Sequence, residues 1–360
     1  MNIYPAYRTY VWLRLYFPSL NPVLFGLIFA FLPFVSVATF YSHKVPVRLK
    51  KTVDWVGGIF MLVFMFSFVF WLIYDAGRLV TSRFETCYPL FVKYGGFAVF
   101  IFTALLIIPG YIRYLRIRVV RYKVDLCRDI GGDLNAVLIS DVHLGAVNSE
   151  RHLKKIVKII NEQDADVVFV AGDTFNNNFF AITDPEQTSA LLRSIKSRYG
   201  VYACLGNHDA GKTYHYMADF LKKSNIKLLN DESVDVDGRF TVLGRIDPEP
   251  MCGFDEDTVR CDIKKVEEKM SFDLPVIVLD HNPSKIKEYD SKYDLILGGH
   301  THHGQMFPGN LFTRLLFKVD YGYYKESPDL PSVIVSSGAG VWAMPYRTAS
   351  ACEVVVIDIK

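Results

Sequence analysis

The sequence predicts two parts of different class: an α-helical membrane domain over residues 1–121 and an α/β domain over residues 122–360. Three observations carry this division. Up to Arg121 the chain holds 13 Lys/Arg against 3 Asp/Glu, whereas the remainder holds 27 against 35. Long uncharged apolar runs are confined to the first part. Short Val/Ile/Leu runs alternating with helix-period segments are confined to the second. With 51% hydrophobic residues, a net charge of +2 and six Cys in 360 residues, the chain is neither disordered, nor a disulfide scaffold, nor a nucleic-acid binder driven by bulk charge. No protein partner can be read from it.

A helix needs about 20 apolar residues to cross a bilayer. Three spans are predicted, over about residues 20–42, 55–74 and 94–112. No Lys, Arg, Asp or Glu falls between Arg14 and Lys44, between Asp54 and Asp75, or between Lys93 and Arg113. Tyr16, Tyr41, Trp55, Tyr74, Tyr94 and Tyr111 stand near the ends, where amphipathic rings favour the interface. Lys44, Arg48, Lys50, Lys51 and the basic residues from Arg113 to Lys123 outnumber Arg8, Arg14, Arg78, Arg83 and Lys93 on the other side. The positive-inside rule therefore makes this a multi-pass protein of the cell membrane, with everything after Arg113 on the cytoplasmic side. Pro18, Pro22, Gly26 and Pro33 leave a re-entrant first segment open as an alternative. Tyr111–Lys123 reads as a direct connector. Scattered cysteines agree with a reducing compartment.

Strands are predicted at Ala136–Ser140, Val167–Ala171, Tyr202–Leu205, Phe240–Leu243, Val276–Leu279, Leu295–Leu297, Val333–Val335 and Val354–Ile357. Their near-continuous apolar character suits strands covered on both faces. Helical periodicity marks Arg151–Glu162, with Ser149 placed as its cap, then Glu186–Lys196 and Tyr214–Lys223. Leu311–Lys318 reads either as an amphipathic core helix or as a membrane-facing lip that admits a lipid tail.

Five strand ends carry polar residues. They are Asp141-Val142-His143, Gly172-Asp173, Gly206-Asn207-His208-Asp209, Asp280-His281-Asn282 and Gly298-Gly299-His300-Thr301-His302-His303. Ligands of open α/β sheets gather beyond the carboxyl ends of strands, so these tips are expected to converge. A single histidine is more often structural than functional, but five strand ends bearing donors have no comparable structural explanation. Carboxylate, imidazole and carboxamide donors suit Mn²⁺, Fe or Zn²⁺.

This ordered set resembles the calcineurin-like metallophosphoesterases, whose pattern runs D-x-H, G-D, G-N-H-[DE], a lone His, then G-H-x-H. The stretch from Gly299 to Gln305, and the tail from Ser336 to Arg347, look like the membrane-attached YkuE/YaeI-like phosphodiesterase branch. The resemblance implies a helix-flanked two-sheet β-sandwich and a dinuclear centre. On its terms Asp141, His143 and His302 hold one divalent ion and Asn207, His281 and His300 the other, with Asp173 bridging. A water shared by the two ions would attack phosphorus in line. His208 would contact the phosphate or protonate the leaving oxygen. Many relatives carry an Asp three residues after the bridging one to support that histidine; here the position is Asn176. Arg347 is a candidate anion clamp and His303 a candidate rim contact. The expected function is hydrolysis of a phosphoester, a diester and lipid-linked in the favoured form. Alternatives that stay open are a pyrophosphatase of a nucleotide-activated lipid such as UDP-diacylglucosamine and a non-catalytic, metal-dependent membrane binding module.

Overall fold

The computed structural model describes residues 3–41, 46–145, 147–148, 150–254 and 258–360. Residue 42, at the end of the first predicted span, and the expected cap Ser149 lie outside them. The chain divides into two units, Met1–Ile112 and Arg113–Lys360.

The first unit is built on α1 (Ile3–Leu13), α2 (Pro22–Tyr41), α3 (Val47–Thr81) and α4 (Cys87–Leu115). Asn21 starts α2 by accepting the amides of Val23 and Leu24 at 2.9 and 3.0 Å. Leu49–Thr81 and Cys87–Leu115 are long and apolar enough to cross a membrane, and only 22% of each apolar window is buried. Helices of a water-soluble core would hide such surface. The unpredicted α1 is held by its polar groups. Arg8 pairs with Asp75 of α3, Tyr4 donates to the same carboxylate at 2.7 Å, and the Trp12 indole donates to the Lys93 carbonyl at 3.0 Å.

The second unit contains two mixed six-stranded sheets. The first runs in the order β1 (Ile117–Val124), β12 (Cys352–Ile359), β2 (Leu134–Ile139), β3 (Val167–Ala171), β4 (Val201–Cys204), β5 (Ile226–Leu228). The second runs β10 (Gly322–Tyr324), β11 (Ser332–Val335), β9 (Leu295–Gly298), β8 (Val276–Leu279), β7 (Phe240–Gly244), β6 (Glu232–Val236). Strands β2 to β5 are parallel, as are β7, β8, β9 and β11, so their carboxyl ends leave each sheet on one side.

The period-two alternation of a strand divides the side chains between layers. In β2 and β3, Ala136, Leu138, Val167 and Phe169 face the second sheet, against Phe240, Val242, Ile277 and Leu297. Val137, Ile139, Val168 and Val170 face the other way, onto α5 (Glu150–Asn161), α6 (Pro185–Arg193) and α7 (Tyr214–Lys223). The outer face of the second sheet packs under α8 (Ile263–Glu267) through Val266, Val276 and Val278. Burial on both faces explains why these strands read as unbroken apolar runs.

Two expectations change. Of the segment read as a connector, Tyr111–Leu115 ends α4 and Ile117–Lys123 belongs to β1, which pairs in parallel with β12 over eight residues from Ile117–Cys352 to Val124–Ile359. Its exposed Arg118, Arg121 and Lys123 belong to a strand at the edge of the sheet. Leu311–Lys318 is not a core helix: α9 (Gly309–Leu316) has no buried residue, and Leu315 and Leu316 are 84% and 77% exposed.

Candidate metal centre

All seven expected donors lie at carboxyl ends of parallel strands, and they meet. Asp141 and His143 follow β2, Asp173 follows β3, Asn207 follows β4, His281 follows β8, and His300 and His302 follow β9. His143 Nε2 lies 3.1 Å from His302 Nε2, and His302 Nε2 lies 3.4 Å from Asp141 Oδ1. Asp173 Oδ2 lies 3.6 Å from His143 Nε2 and 3.3 Å from His281 Nε2, between the two groups. On the far side His300 Nδ1 stands 3.0 Å from Asn207 Oδ1.

The backbone is bent to aim these groups. Asp141, His143, Asp173, His300, His302 and His303 all have φ between 47° and 70°, the left-handed region that costs a non-glycine residue of order 1–3 kcal/mol. Strain gathered so densely at one point marks a functional constraint. Gly172 has φ 74°, and a Cβ there would sit 2.6 Å from the His281 ring; one on Gly206 would sit 2.2 Å from Asp173 Oδ1. Neither strand could approach the centre with a side chain at that position.

The donors have few protein partners, which is the test of whether cations fit. His281 donates from Nδ1 to the Ala171 carbonyl at 2.8 Å, turning Nε2 toward the centre, where it is buried with no hydrogen bond. Burial pushes His143 down to about 3, His300 to about 4 and His302 well below the usual imidazole range, so these rings are neutral and present lone pairs. Burial holds Asp141 up at about 6. It also opposes ionisation of Asp173, but the charge of His281 outweighs it and keeps Asp173 well below the usual carboxylate range. Three neutral imidazoles, the charged His281 ring and the carboxylates, closely spaced and poorly satisfied among themselves, suit a pair of divalent ions, whose binding would displace the His281 proton.

Residues 134–304 match the family model described as calcineurin-like phosphoesterase. The chain carries a calcineurin-like metallophosphoesterase domain. It is similar to an uncharacterized metallophosphoesterase of Campylobacter jejuni, at 31% identity over 63% of this chain and 59% of that protein. A Danio rerio transmembrane protein with metallophosphoesterase domain is 28% identical over 84% of this chain and 72% of that protein. The phosphodiesterase YaeI of Escherichia coli is 25% identical over 55% of this chain and 72% of its own length. The chain spans about three fifths of the length of its Campylobacter and Helicobacter relatives.

In this metallophosphoesterase domain Asp173, Asn207, His208, His300 and His302 line a cavity of about 280 Å³, rimmed by Met306 and Trp342. The His208 amide donates to Asp173 Oδ1 at 2.8 Å, and burial lowers the pKa of its ring. His208 Nδ1 is buried with no partner, so Asn176 does not support it. Nor does Asp209, whose two oxygens accept the amides of Phe175 and Gly206 at 2.8 and 2.9 Å and brace the loop.

Two expectations are corrected. Arg347 is fully buried and clamps no anion: Nη2 donates to the carbonyls of Gly340 and Ser337 at 2.6 and 2.7 Å, and Nη1 to Ser350 Oγ at 2.7 Å. It ties the tail loop beneath His302. His303 stands outside the cavity lining, stacked on Tyr321 with ring centres 4.4 Å apart. One residue was missed: Asp247, beyond β7, lies with His281 and His300 in a group whose ligand atoms fall within 4.8 Å of one another. The signal was available, because Phe240–Leu243 was already read as a strand and Asp247 follows its polar end.

Proposed function

We propose that this protein is a membrane-anchored, dinuclear-metal phosphoesterase that cleaves phosphodiesters, with lipid-linked ones as its natural class. One observation carries the reading: five strand ends bring Asp141, His143, Asp173, Asn207, His281, His300 and His302 to one buried point that opens into the His208 cavity. Asp141, His143 and His302 would hold one ion, Asn207, His281 and His300 the other, and Asp173 both. The bound ions would supply Lewis acidity toward phosphoryl oxygens and an activated water. The protein's own part is to fix the donors and position the ester. Nearly enclosed by protein, with its pKa lowered by burial, the His208 ring offers an N–H to the phosphoryl group or its leaving oxygen.

Exposed apolar surface beside the cavity supports a lipid-linked substrate. Phe307, Phe312, Leu315 and Leu316 are all exposed, and α9 begins five residues after Gly304 of the cavity lining. An apolar surface of this kind on a soluble domain marks a site of interaction. The two bilayer-length helices, and a Danio relative named as a transmembrane protein that aligns over 84% of this chain, support multi-pass anchoring. Basic asymmetry supports a cytoplasmic phosphoesterase domain.

Detergent-solubilised protein with Mn²⁺ should hydrolyse bis(p-nitrophenyl) phosphate faster than p-nitrophenyl phosphate, and lipid phosphodiesters in mixed micelles better than their water-soluble headgroups. Activity no greater than that of Asp173→Asn on every substrate would refute the enzymatic reading. UDP-diacylglucosamine belongs in the same panel, where its selective cleavage would replace the diester assignment. A tag after Lys360 should be protected in intact cells and one before Met1 accessible.

A further inference from the structure

Beyond β7 the chain runs Arg245-Ile246-Asp247-Pro248, and its neighbours hold this segment rigidly. Arg245 is fully buried, 3.3 Å from Asp231 and donating to the Cys261 carbonyl at 2.9 Å. The Ile246 amide donates to Asp231 Oδ1 at 3.2 Å, and Arg260 donates to the Ile246 carbonyl at 2.7 Å. Asp247 is thereby set in the interior with 1% of its surface exposed.

Its carboxylate is only half used. Oδ1 accepts the Glu249 amide at 2.8 Å, while Oδ2 is buried with no hydrogen bond. Among the described residues no Lys or Arg pairs with it; the nearby Arg260 is taken by Asp280 and Glu288, and Arg245 by Asp231. An unpaired carboxylate in the interior costs several kcal/mol unless a cation or proton compensates it. The groups facing Asp247 that bear on this are His281 and His300, whose ligand atoms share a 4.8 Å cluster with it.

We propose that Asp247 is an eighth donor of the centre, joining Asn207, His281 and His300 at the second cation position. The inference rests on the dinuclear reading above. It alters the charge of the site: Asp141, Asp173 and Asp247 place three negative charges against two dications, leaving one net positive charge where the other two carboxylates alone would leave two. It also alters selectivity, since a third oxygen donor beside Asn207 and Asp173 favours Mn²⁺ over the softer Zn²⁺ at that position.

The test is metal binding by metal-free, detergent-solubilised full-length protein, titrated calorimetrically with Mn²⁺ and with Zn²⁺. Asp247→Asn keeps the shape and the acceptor for the Glu249 amide while removing the charge. Wild type should bind two Mn²⁺. Asp247→Asn should lose at least about tenfold in affinity at one site only, with a smaller loss for Zn²⁺, and Asp247→Glu should recover part of the Mn²⁺ affinity. Two unchanged sites in Asp247→Asn would overturn the assignment and leave the dinuclear centre standing. Equal weakening of both sites, or a metal-free melting temperature lowered in both variants, would overturn it in favour of a purely structural carboxylate. Wild type that binds no metal would overturn this inference together with the reading beneath it.

Discussion

Replacing Arg347 separates the anion clamp expected from the sequence from the structural role its burial gives it. If its guanidinium met substrate, Arg347→Met would raise KM and leave stability alone. The geometry predicts the opposite. Met fills much of the same space but leaves the carbonyls of Ser337 and Gly340 without their 2.7 and 2.6 Å donor in a fully buried site. Each orphaned buried acceptor costs about 1–3 kcal/mol. The buried Glu353 carboxylate, bound to the Ser337 amide at 2.8 Å, also loses the positive charge that offsets its desolvation. Together these make a loss on the order of 3–5 kcal/mol, as expected when one member of a buried charge network is removed. For a domain of this size each kcal/mol moves the melting temperature by about 2–4 °C, so a fall on the order of 10 °C is expected. Arg347→Lys should recover little of it, because one ammonium cannot reach Ser350 and Gly340 together. The assay is thermal melting of detergent-solubilised protein beside steady-state kinetics. An unchanged melt with a raised KM would refute the reasoning and restore the anion clamp.

Asp173→Asn should abolish turnover and lower metal content from two ions toward one or none, read by elemental analysis; two tightly held ions would reject the bridging role. His208→Ala should cost about 10²- to 10⁴-fold in turnover with metal content unchanged, most of all on esters with poor leaving groups. Asn176→Asp tests whether a carboxylate at that position partners the free His208 Nδ1: a partner raises the imidazole pKa and moves the alkaline limb of the pH–rate profile upward, and superimposable limbs would leave His208 a simple phosphate donor. His152 is buried, donates to the Ala339 carbonyl at 2.7 Å, and has its pKa lowered by that burial. Its neutral form belongs to the fold, so the unfolded chain binds the extra proton and stability is lost as pH falls below about 6.5. His152→Gln should make that limb less steep in urea midpoints measured from pH 5 to 7.5, with the other buried histidines keeping the rest of the slope, and parallel curves would exclude the histidine.

Strands buried on both faces, and a helix buried along one, were legible because burial and sequence pattern say the same thing. Val167–Ala171, Val276–Leu279 and Tyr214–Lys223 were read with their observed bounds. The donor set was legible because metal chemistry allows few residue types, and here each of those stands at a strand end. What stayed hidden is governed by neighbours distant in sequence. The Arg and Lys of β1 look like a linker until β12 is beside them. Arg347 looks like a clamp until the carbonyls around it are known. Asp247 follows a strand that was read, but the group it joins is visible only in the fold, because His281 and His300 come from two other strands.

The pairing of β1 with β12 bears on how the protein is made. β12 lies second in its sheet, between β1 and β2, and the Arg121–Asp358 contact along it joins residues 237 positions apart. While a ribosome is still translating, β2 to β5 can stack in order, but the flank of β2 stays bare until Cys352–Ile359 emerges. Such a nascent species has an open strand edge and a half-covered apolar face, the features that invite aggregation and engage chaperones. Assembly is therefore gated by the arrival of Cys352–Ile359, far downstream of the strand it covers. A premature stop anywhere before Cys352 should yield a product cleared by proteolysis and not a weakened enzyme.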